Sequence, residues 1–138
     1  MSMGEKKGVA ESSPVALKRK DPNRAIGLLK VASTVELGEI TQFTIFLCPA
    51  YLRGEACLML HDGKAAAAEF QKFIDHRGVV MNFPWGALAR PGLARAYALQ
   101  GDIAKAKAAY QDFLTLWKDA DPNIPILIAA KSEYAKLK

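Results

Sequence analysis

The stretch that decides the fold is residues 93–114, which read LARAYALQGDIAKAKAAYQDFL. Asp102 follows a glycine and is a good N-cap residue for a helix. Downstream of it, apolar side chains recur at the three- and four-residue spacing of one helix face. The pattern predicts one helix, a short turn and a second helix. The apolar residues of the second helix are Ile103, Ala106, Tyr110, Phe113, Leu114 and Trp117.

The same arrangement recurs forty residues earlier, in residues 53–74, which read RGEACLMLHDGKAAAAEFQKFI. A further copy of the second helix lies forty-one residues before that one and begins at Asp21-Pro22. A last helix is predicted after Asp121-Pro122 and Pro125. Internal repetition at this spacing is typical of helical repeat arrays. The pairs at the forty-residue shift are Gly54 and Ala94, Cys57 and Tyr97, Asp62 and Asp102, Ala66 and Ala106, Phe70 and Tyr110, Gln71 and Gln111, and Phe73 and Phe113.

Small side chains recur at two places in each unit, and a large aromatic one follows. Side chains without bulk let two antiparallel helices approach closely, and the aromatic one turn later fills the groove beside them. We therefore expect close helix contacts at these positions. The small residues are Gly54, Ala66, Ala94 and Ala106, and the aromatic ones are Phe70 and Tyr110.

This order of small and large residues resembles the tetratricopeptide repeat family. The likeness is looser over residues 50–74, where Cys57 replaces the usual aromatic residue and His61 the usual turn glycine. The period exceeds the family's usual length of about 34 residues, and we expect the loop from Val79 to Trp85 to take up the difference. The residues that fit the family's pattern best are Leu93, Ala94, Tyr97, Gly101, Ala106 and Tyr110.

A longer likeness is to the C-terminal repeat regions of large bacterial regulators. The phrases PAYLRGEACLMLHDGKAAAAEFQKFIDHRG and GLARAYALQGDIAKAKAAYQDFLTLWKDADP are similar to such regions in serine/threonine protein kinases and winged-helix transcriptional regulators. No catalytic residue carries over, because the sequence has no glycine-rich phosphate loop and no DFG. Asp75-His76-Arg77 only holds the letters of the kinase HRD motif in another order. The resemblance implies a regulatory or sensory fragment of such a protein as the alternative to a stand-alone interaction module.

Length and composition indicate an ordinary folded protein. The 138 residues suggest one domain, and the apolar share of 51% is enough for a core. Lys and Arg outnumber Asp and Glu by 19 to 14, a mild and dispersed surplus. The densest basic cluster, Lys18-Arg19-Lys20, has no interleaved aromatic residue, so a solvated chain end is favoured over a nucleic-acid contact. We predict a flexible segment over residues 1–13 and a repeat domain over residues 14–138.

Targeting and redox features favour a cytoplasmic protein. The N-terminal sequence MSMGEKKGVAESS lacks the apolar region of a secretory signal. The apolar-rich stretch from Phe43 to Leu52 is far shorter than the roughly 20 residues that span a bilayer. Cys48 and Cys57 form no CxxC motif and suit buried free thiols. These features predict no membrane partner.

The sequence carries no motif for catalysis or metal binding. Neither His61 nor His76 lies in an HExxH motif or beside a CxxC, and no serine has a GxSxG context. The carboxylates Asp62, Asp102 and Asp121 occupy places typical of helix N-caps. We therefore predict that the chain is not an enzyme and holds no metal and no cofactor.

One face of the first helix in each unit carries the candidate binding residues. Tyr51, Glu55 and Met59 are spaced by four and share a helix face. In the repeat family this face lines a concave groove, so the resemblance implies that these residues contact a partner, together with Arg95 and Leu99 forty positions later. Core packing is the alternative for Met59 and Leu99. The family's chaperone-tail binders use Lys and Asn at the matching positions, so a chaperone-tail ligand is not expected.

The sequence thus predicts an all-α fold, an α-solenoid of about two and a half tetratricopeptide-like helix pairs with a C-terminal capping helix. The predicted function is non-catalytic protein–protein interaction, with a protein or peptide as partner and no nucleic acid. Repeat units bury their apolar faces only against neighbours, and about three are needed for stability. We therefore expect the leading half-pair, from Pro22 to Ala32, to expose part of its apolar face. A homo-oligomer or a marginally stable chain would follow from this.

Overall fold

The computed structural model describes residues 17–30, 48–76 and 84–138. Within these ranges every regular element is a helix and no strand occurs, so the predicted all-α class is confirmed. The segments predicted over residues 1–13 and 43–47 lie outside the described residues. The helices are α1 (Pro22–Leu29), α2 (Cys48–Met59), α3 (Gly63–Asp75), α4 (Pro84–Leu99), α5 (Ile103–Leu116) and α6 (Pro125–Lys136).

The helices follow one another as a chain of contacts. Each helix packs against the next one along the sequence, and α2 also contacts α4. Turns of three residues join α2 to α3 and α4 to α5. Connections this short join antiparallel neighbours. Consequently α2 and α4 are the first members of two successive helix pairs, and they lie side by side.

The two turns between paired helices have the same geometry. In each turn the carboxylate of an N-cap aspartate accepts a hydrogen bond from the backbone N–H three residues later, at 3.0 Å for Asp62 and 3.1 Å for Asp102. The residue before each aspartate has a positive φ, 57° for His61 and 78° for Gly101. The backbone N–H of each aspartate donates to the carbonyl five residues earlier, at 2.9 and 3.0 Å, which is the long bond of a Schellman motif. The predicted forty-residue alignment is confirmed in these two turns.

The ring of Phe70 occupies a slot between two glycines on different helices. A Cβ placed on Gly54 would lie 2.7 Å from the Phe70 ring, and so would one placed on Gly92. The expected close helix contact at Gly54 is confirmed, whereas Gly92 carried no such expectation. The other buried residues around this ring join α2, α3 and α4 and are Ala50, Cys57, Ala66, Phe73, Ala89, Leu93 and Ala96.

A second buried cluster joins the last three helices. Tyr110 and Phe113 of α5 pack with Leu127 and Ala130 of α6 and with Ala94 of α4. The apolar face that α5 turns away from α4 is therefore covered by α6.

The N-terminal helix buries only a narrow face. Ala25 and Leu29 of α1 are buried, and Ala25 packs with Ala56 of α2. Ile26 and Leu28 are half-buried, which agrees with the expected partial exposure of this helix. The last residue of the predicted half-pair, Ala32, lies outside the described residues.

The prediction that Asp121 caps the last helix is wrong. The helix α6 begins at Pro125, and its N-cap residue is Ile124. A proline pushes the residue before it towards extended backbone, and Ile124 has φ −63° and ψ 122°. Asp121 instead accepts a hydrogen bond from the backbone N–H of Asn123 at 2.8 Å, within the preceding turn.

The predicted loop from Val79 to Trp85 ends earlier in the structure. Pro84 and Trp85 are the first two residues of α4. Proline suits the first helical position, because its missing N–H would have no intrahelical partner there. The remainder of that loop, residues 79–83, lies outside the described residues.

One buried charge, which no sequence pattern indicates, connects three helices. Arg53 of α2 is only 4% exposed. Its Nη1 donates to the backbone carbonyl of Leu29 at 3.0 Å, while Nε and Nη2 donate to the Glu69 carboxylate of α3, both at 3.1 Å. Lys72 Nζ lies 2.9 Å from the same carboxylate. Because a buried charge is tolerated only when it is paired and hydrogen-bonded, this pair fixes how α1 and α3 lie against α2.

Candidate functional site

An open pocket lies where α2, α4 and α6 come together, and its volume is about 460 Å³. Its aliphatic side chains come from α2, from α4 and from Leu137 at the end of α6, and its charged side chains come from α4 and α6. We name this pocket, together with Tyr51 and Glu55 farther along α2, the groove. The residues that line the pocket are Leu58, His61, Arg95, Ala98, Leu99, Tyr110, Glu133, Lys136 and Leu137.

An ion pair links α4 to α6 beside the pocket. Arg95 Nε lies 2.8 Å from Glu133 Oε2, and Arg95 Nη2 lies 3.0 Å from Glu133 Oε1, so the pair is bidentate. The Tyr110 hydroxyl of α5 donates to the same carboxylate. Burial alone would raise the pKa of Glu133, but the hydrogen bonds from Arg95 and Tyr110 outweigh it and hold the pKa below its ordinary value. Glu133 is therefore ionised at neutral pH and holds α6 in place.

A second carboxylate, Glu55 on α2, interacts with Arg95 through charge. The Tyr51 hydroxyl donates a hydrogen bond to Glu55, while Arg95 affects Glu55 through its charge. Burial raises the pKa of Glu55, and the effects of Arg95 and Tyr51 only partly oppose this rise. Burial also raises the pKa of Tyr51 to about 12, with a further contribution from the Glu55 charge.

The charged side chains of the groove are balanced in number. Its carboxylates are Glu55 and Glu133, and its cations are Arg95 and Lys136. The bidentate hydrogen bonds of Arg95 go to Glu133, and the Lys136 charge also helps to lower the pKa of Glu133. At Tyr51 the effect of the Glu55 charge exceeds the opposing effect of Arg95.

The structure brings four of the five predicted groove residues together. Arg95 and Leu99 line the pocket, while Glu55 and Tyr51 interact with each other and, through charge, with Arg95. Leu99 is 43% exposed, which excludes the alternative of core packing for its side chain. Met59, the last residue of α2, is also exposed at 38% but does not line the pocket. The wall on that side is formed by its neighbours in sequence.

Tyr51 has a double role. Its ring packs edge-on against Phe70 and Phe73, with centroids 5.6 and 6.2 Å apart. Its hydroxyl reaches Glu55. The tyrosine thus anchors one end of the groove to the core.

The residues predicted as structural repeat positions lie in the packed interior, with one exception. Tyr97 is half-buried, and Lys105 Nζ lies 5.5 Å from the centre of its ring. Burial raises the pKa of the free Cys57 thiol, the counterpart of Tyr97. The buried positions are Gly54, Ala66, Phe70, Ala94, Ala106 and Tyr110.

Several residues of the groove were not indicated by the sequence. Glu133 is 38 residues from Arg95, and Lys136 and Leu137 lie still farther along the chain. His61 was interpreted as a polar residue at a helix end, a position that the structure supports, but it also lines the pocket. Helix periodicity carries no signal for such long-range neighbours.

Among the described residues, we find no cluster of metal-ligating side chains and no helix that could span a membrane. Over residues 17–30, 48–76 and 84–138, no group of three His, Cys, Asp or Glu side chains is placed to hold a metal ion. In the same ranges, no helix has the length and apolar character needed to cross a bilayer.

In comparisons with protein-family models, with curated proteins and with solved structures, no match was found. The function is therefore inferred from the residues and geometry of this chain.

Proposed function

We propose that the chain is a non-catalytic interaction module that binds a segment of a partner protein in the groove between α2, α4 and α6. In this proposal the helix pairs form a short tetratricopeptide-like solenoid, and α6 caps its C-terminal end. Helical repeat arrays present such concave surfaces to extended partners.

The observation that carries the proposal is an open, largely aliphatic pocket on the surface formed by three helices. Leu99 reaches into it while 43% exposed, and Leu58 and Leu137 face it from the neighbouring helices. Clustered apolar side chains left in contact with water on a folded protein mark interaction sites more often than isolated ones do. A groove of this kind suits an aliphatic side chain of a bound segment.

The solenoid part of the proposal is supported by the repeated turn geometry. The turns at Asp62 and Asp102 have matching caps, positive φ values and Schellman hydrogen bonds. Two helix pairs with the same internal geometry stack with the same relative orientation, which brings their first helices to one face.

The polar groups of the groove favour binding over catalysis. Arg95 and Glu133 are bound to each other, so neither is available as a general acid or base. The Tyr51 hydroxyl, with a pKa raised to about 12, is protonated at neutral pH. The free, buried Cys57 thiol is compatible with a reducing compartment, and we place the protein in the cytoplasm.

Affinity selection from a random peptide display library tests the proposal. Peptides enriched on the unmodified protein should lose at least about tenfold in affinity on the Leu99→Glu variant, because a carboxylate is placed in an aliphatic pocket. The matched control is Leu116→Glu on α5, since Leu116 is 59% exposed and does not line the pocket. Equal loss on both variants, or no loss on either, contradicts binding in the groove.

A further inference from the structure

We propose that the ion pair of Arg95 and Glu133, which we call the latch, holds the α6 wall of the pocket in its binding position. Both are then positioning residues, and the partner segment contacts the aliphatic side chains beside them. The inference rests on the proposed function and assigns a role to the charged pair of that site.

The latch joins two walls of the pocket. Arg95 lines the pocket from α4, and Glu133 lines it from α6. Arg95 Nε and Nη2 donate to the two carboxylate oxygens of Glu133 at 2.8 and 3.0 Å, and the Tyr110 hydroxyl of α5 donates to the same carboxylate. A bidentate pair of this kind fixes the orientation of its two groups as well as their distance. The place of the α6 wall relative to α4 is therefore set at the Glu133 carboxylate.

The buried apolar contacts of α6 lie at its other end. Leu127 and Ala130, the buried residues of this helix, belong to its first two turns. Beyond Ala130 the side chains that face the core are only half-buried. Lys136 and Leu137, which complete the pocket wall, follow Glu133 in the sequence. The latch thus holds the end of α6 that forms the pocket, and buried apolar side chains hold the end that does not.

The other contacts of the pocket-forming end go to α5. Gln111 Nε2 donates to the Tyr134 hydroxyl at 2.8 Å, and the rings of Tyr110 and Tyr134 meet edge-on with centroids 6.4 Å apart. Neither contact reaches α4. Without the latch, the last turn of α6 keeps these contacts but loses its hydrogen bonds to α4, so the width of the pocket between α4 and α6 is no longer fixed.

The latch gives Arg95 a different role from the one that the sequence pattern indicated. The pattern suggested a direct contact with the partner, whereas the guanidinium donates to Glu133 in the structure. A site that is assembled for only a fraction of the time binds with an affinity reduced by that fraction. Opening the latch should therefore weaken binding although no group that contacts the partner is removed.

A double-mutant cycle on peptide affinity tests the latch. With peptides enriched on the unmodified chain, Arg95→Met and Glu133→Gln should each lower the affinity by about tenfold. The double variant should lose no more than either single variant, because each substitution alone opens the latch. Independent contacts with the partner would instead multiply to a loss of about a hundredfold. That result, or unchanged affinity in the single variants, overturns the inference.

Backbone ¹⁵N relaxation of the free protein adds a measurement that needs no partner. In Glu133→Gln the order parameters of residues 133–136 should fall from about 0.85 to below about 0.6, while those of residues 127–130 stay high. The matched control is Lys131→Gln on the exposed face of α6, which should change neither the order parameters nor the affinity. Unchanged order parameters at residues 133–136, or a fall along the whole of α6, overturn the inference.

The proposed function can fail separately from the latch. If Leu99→Glu leaves peptide binding intact, the pocket is not the binding site, and the proposed function fails together with the role of the latch in binding. If Leu99→Glu abolishes binding while Arg95→Met and Glu133→Gln bind like the unmodified chain, the groove binder stands and only the latch is refuted.

Discussion

Replacing Gly54 by alanine tests the packing that positions the groove. A Cβ at this position would lie 2.7, 2.8 and 3.0 Å from three carbons of the Phe70 ring. Carbon atoms are at their optimal separation at about 3.5–4.0 Å, so the methyl group overlaps the ring by about 1 Å. The ring has little room to move, because a Cβ on Gly92 would lie 2.7–2.9 Å from the same three ring atoms, so the ring also packs directly against Gly92.

The magnitude follows from two opposing terms. Overpacking of a well-packed core costs typically 1–3 kcal/mol, and the trapped ring puts Gly54→Ala near roughly 3 kcal/mol. Alanine in place of glycine inside a helix gains about 1 kcal/mol. We expect a net loss of about 2 kcal/mol in the free energy of unfolding, which lowers Tm by about 8 °C for a domain of this size.

Thermal and urea unfolding followed by circular dichroism measure this loss. The matched control is Gly27→Ala on α1, where no atom lies within 4 Å of the new Cβ; it should raise the stability by about 0.5–1 kcal/mol. Phe70→Leu introduced together with Gly54→Ala should cost less than the sum of the two single changes, since the methyl group and the ring compete for the same space. A Gly54→Ala protein that unfolds at or above the Tm of the unmodified chain would refute the glycine slot.

Four further substitutions have expected outcomes. Glu133→Gln should lower the free energy of unfolding at pH 7, and this deficit should vanish as the pH falls through the lowered folded pKa of Glu133. Glu55→Gln should raise the free energy of unfolding at pH 7, and this gain should fade as the pH falls through the raised folded pKa of Glu55. Urea unfolding at a series of pH values measures both effects. Ala106→Leu should lower the free energy of unfolding by about 1–3 kcal/mol in the same assay, whereas Ala108→Leu on the exposed side of α5 should leave it unchanged. Equal unfolding curves for the two variants would contradict the repeat alignment. His61→Gly should raise Tm by a few degrees, from about 1 kcal/mol of relieved strain at φ 57°, and an unchanged or lower Tm would show that contacts of the imidazole compensate for the strain.

Features that depend on local sequence were predictable. The N-caps at Asp62 and Asp102 and the turn positions at His61 and Gly101 follow from residues within one helical turn. Their spacing of forty residues made the repeat visible before any contact was known. The cap at Asp121 failed for a local reason as well, because a proline downstream determines where α6 begins.

Features that depend on distant partners were not predictable. Arg53 and Glu69 are 16 residues apart, and Arg95 and Glu133 are 38 residues apart. A charged residue on a helix has the same sequence signature whether it is solvated or paired with a distant helix. The periodicity therefore indicated the face that carries Arg95, but it did not indicate that Glu133 would hold this side chain.

The central claim, binding in the groove of α2, α4 and α6, is tested most directly by chemical-shift mapping. The ¹⁵N-labelled chain is titrated with a peptide from the display selection, and the amide shifts are followed residue by residue. We predict that the largest changes occur at Glu55, Leu58, Arg95, Leu99 and Leu137. Saturable changes centred instead on Leu116 and Ile128, the exposed apolar residues of α5 and α6 outside the pocket, would contradict the account.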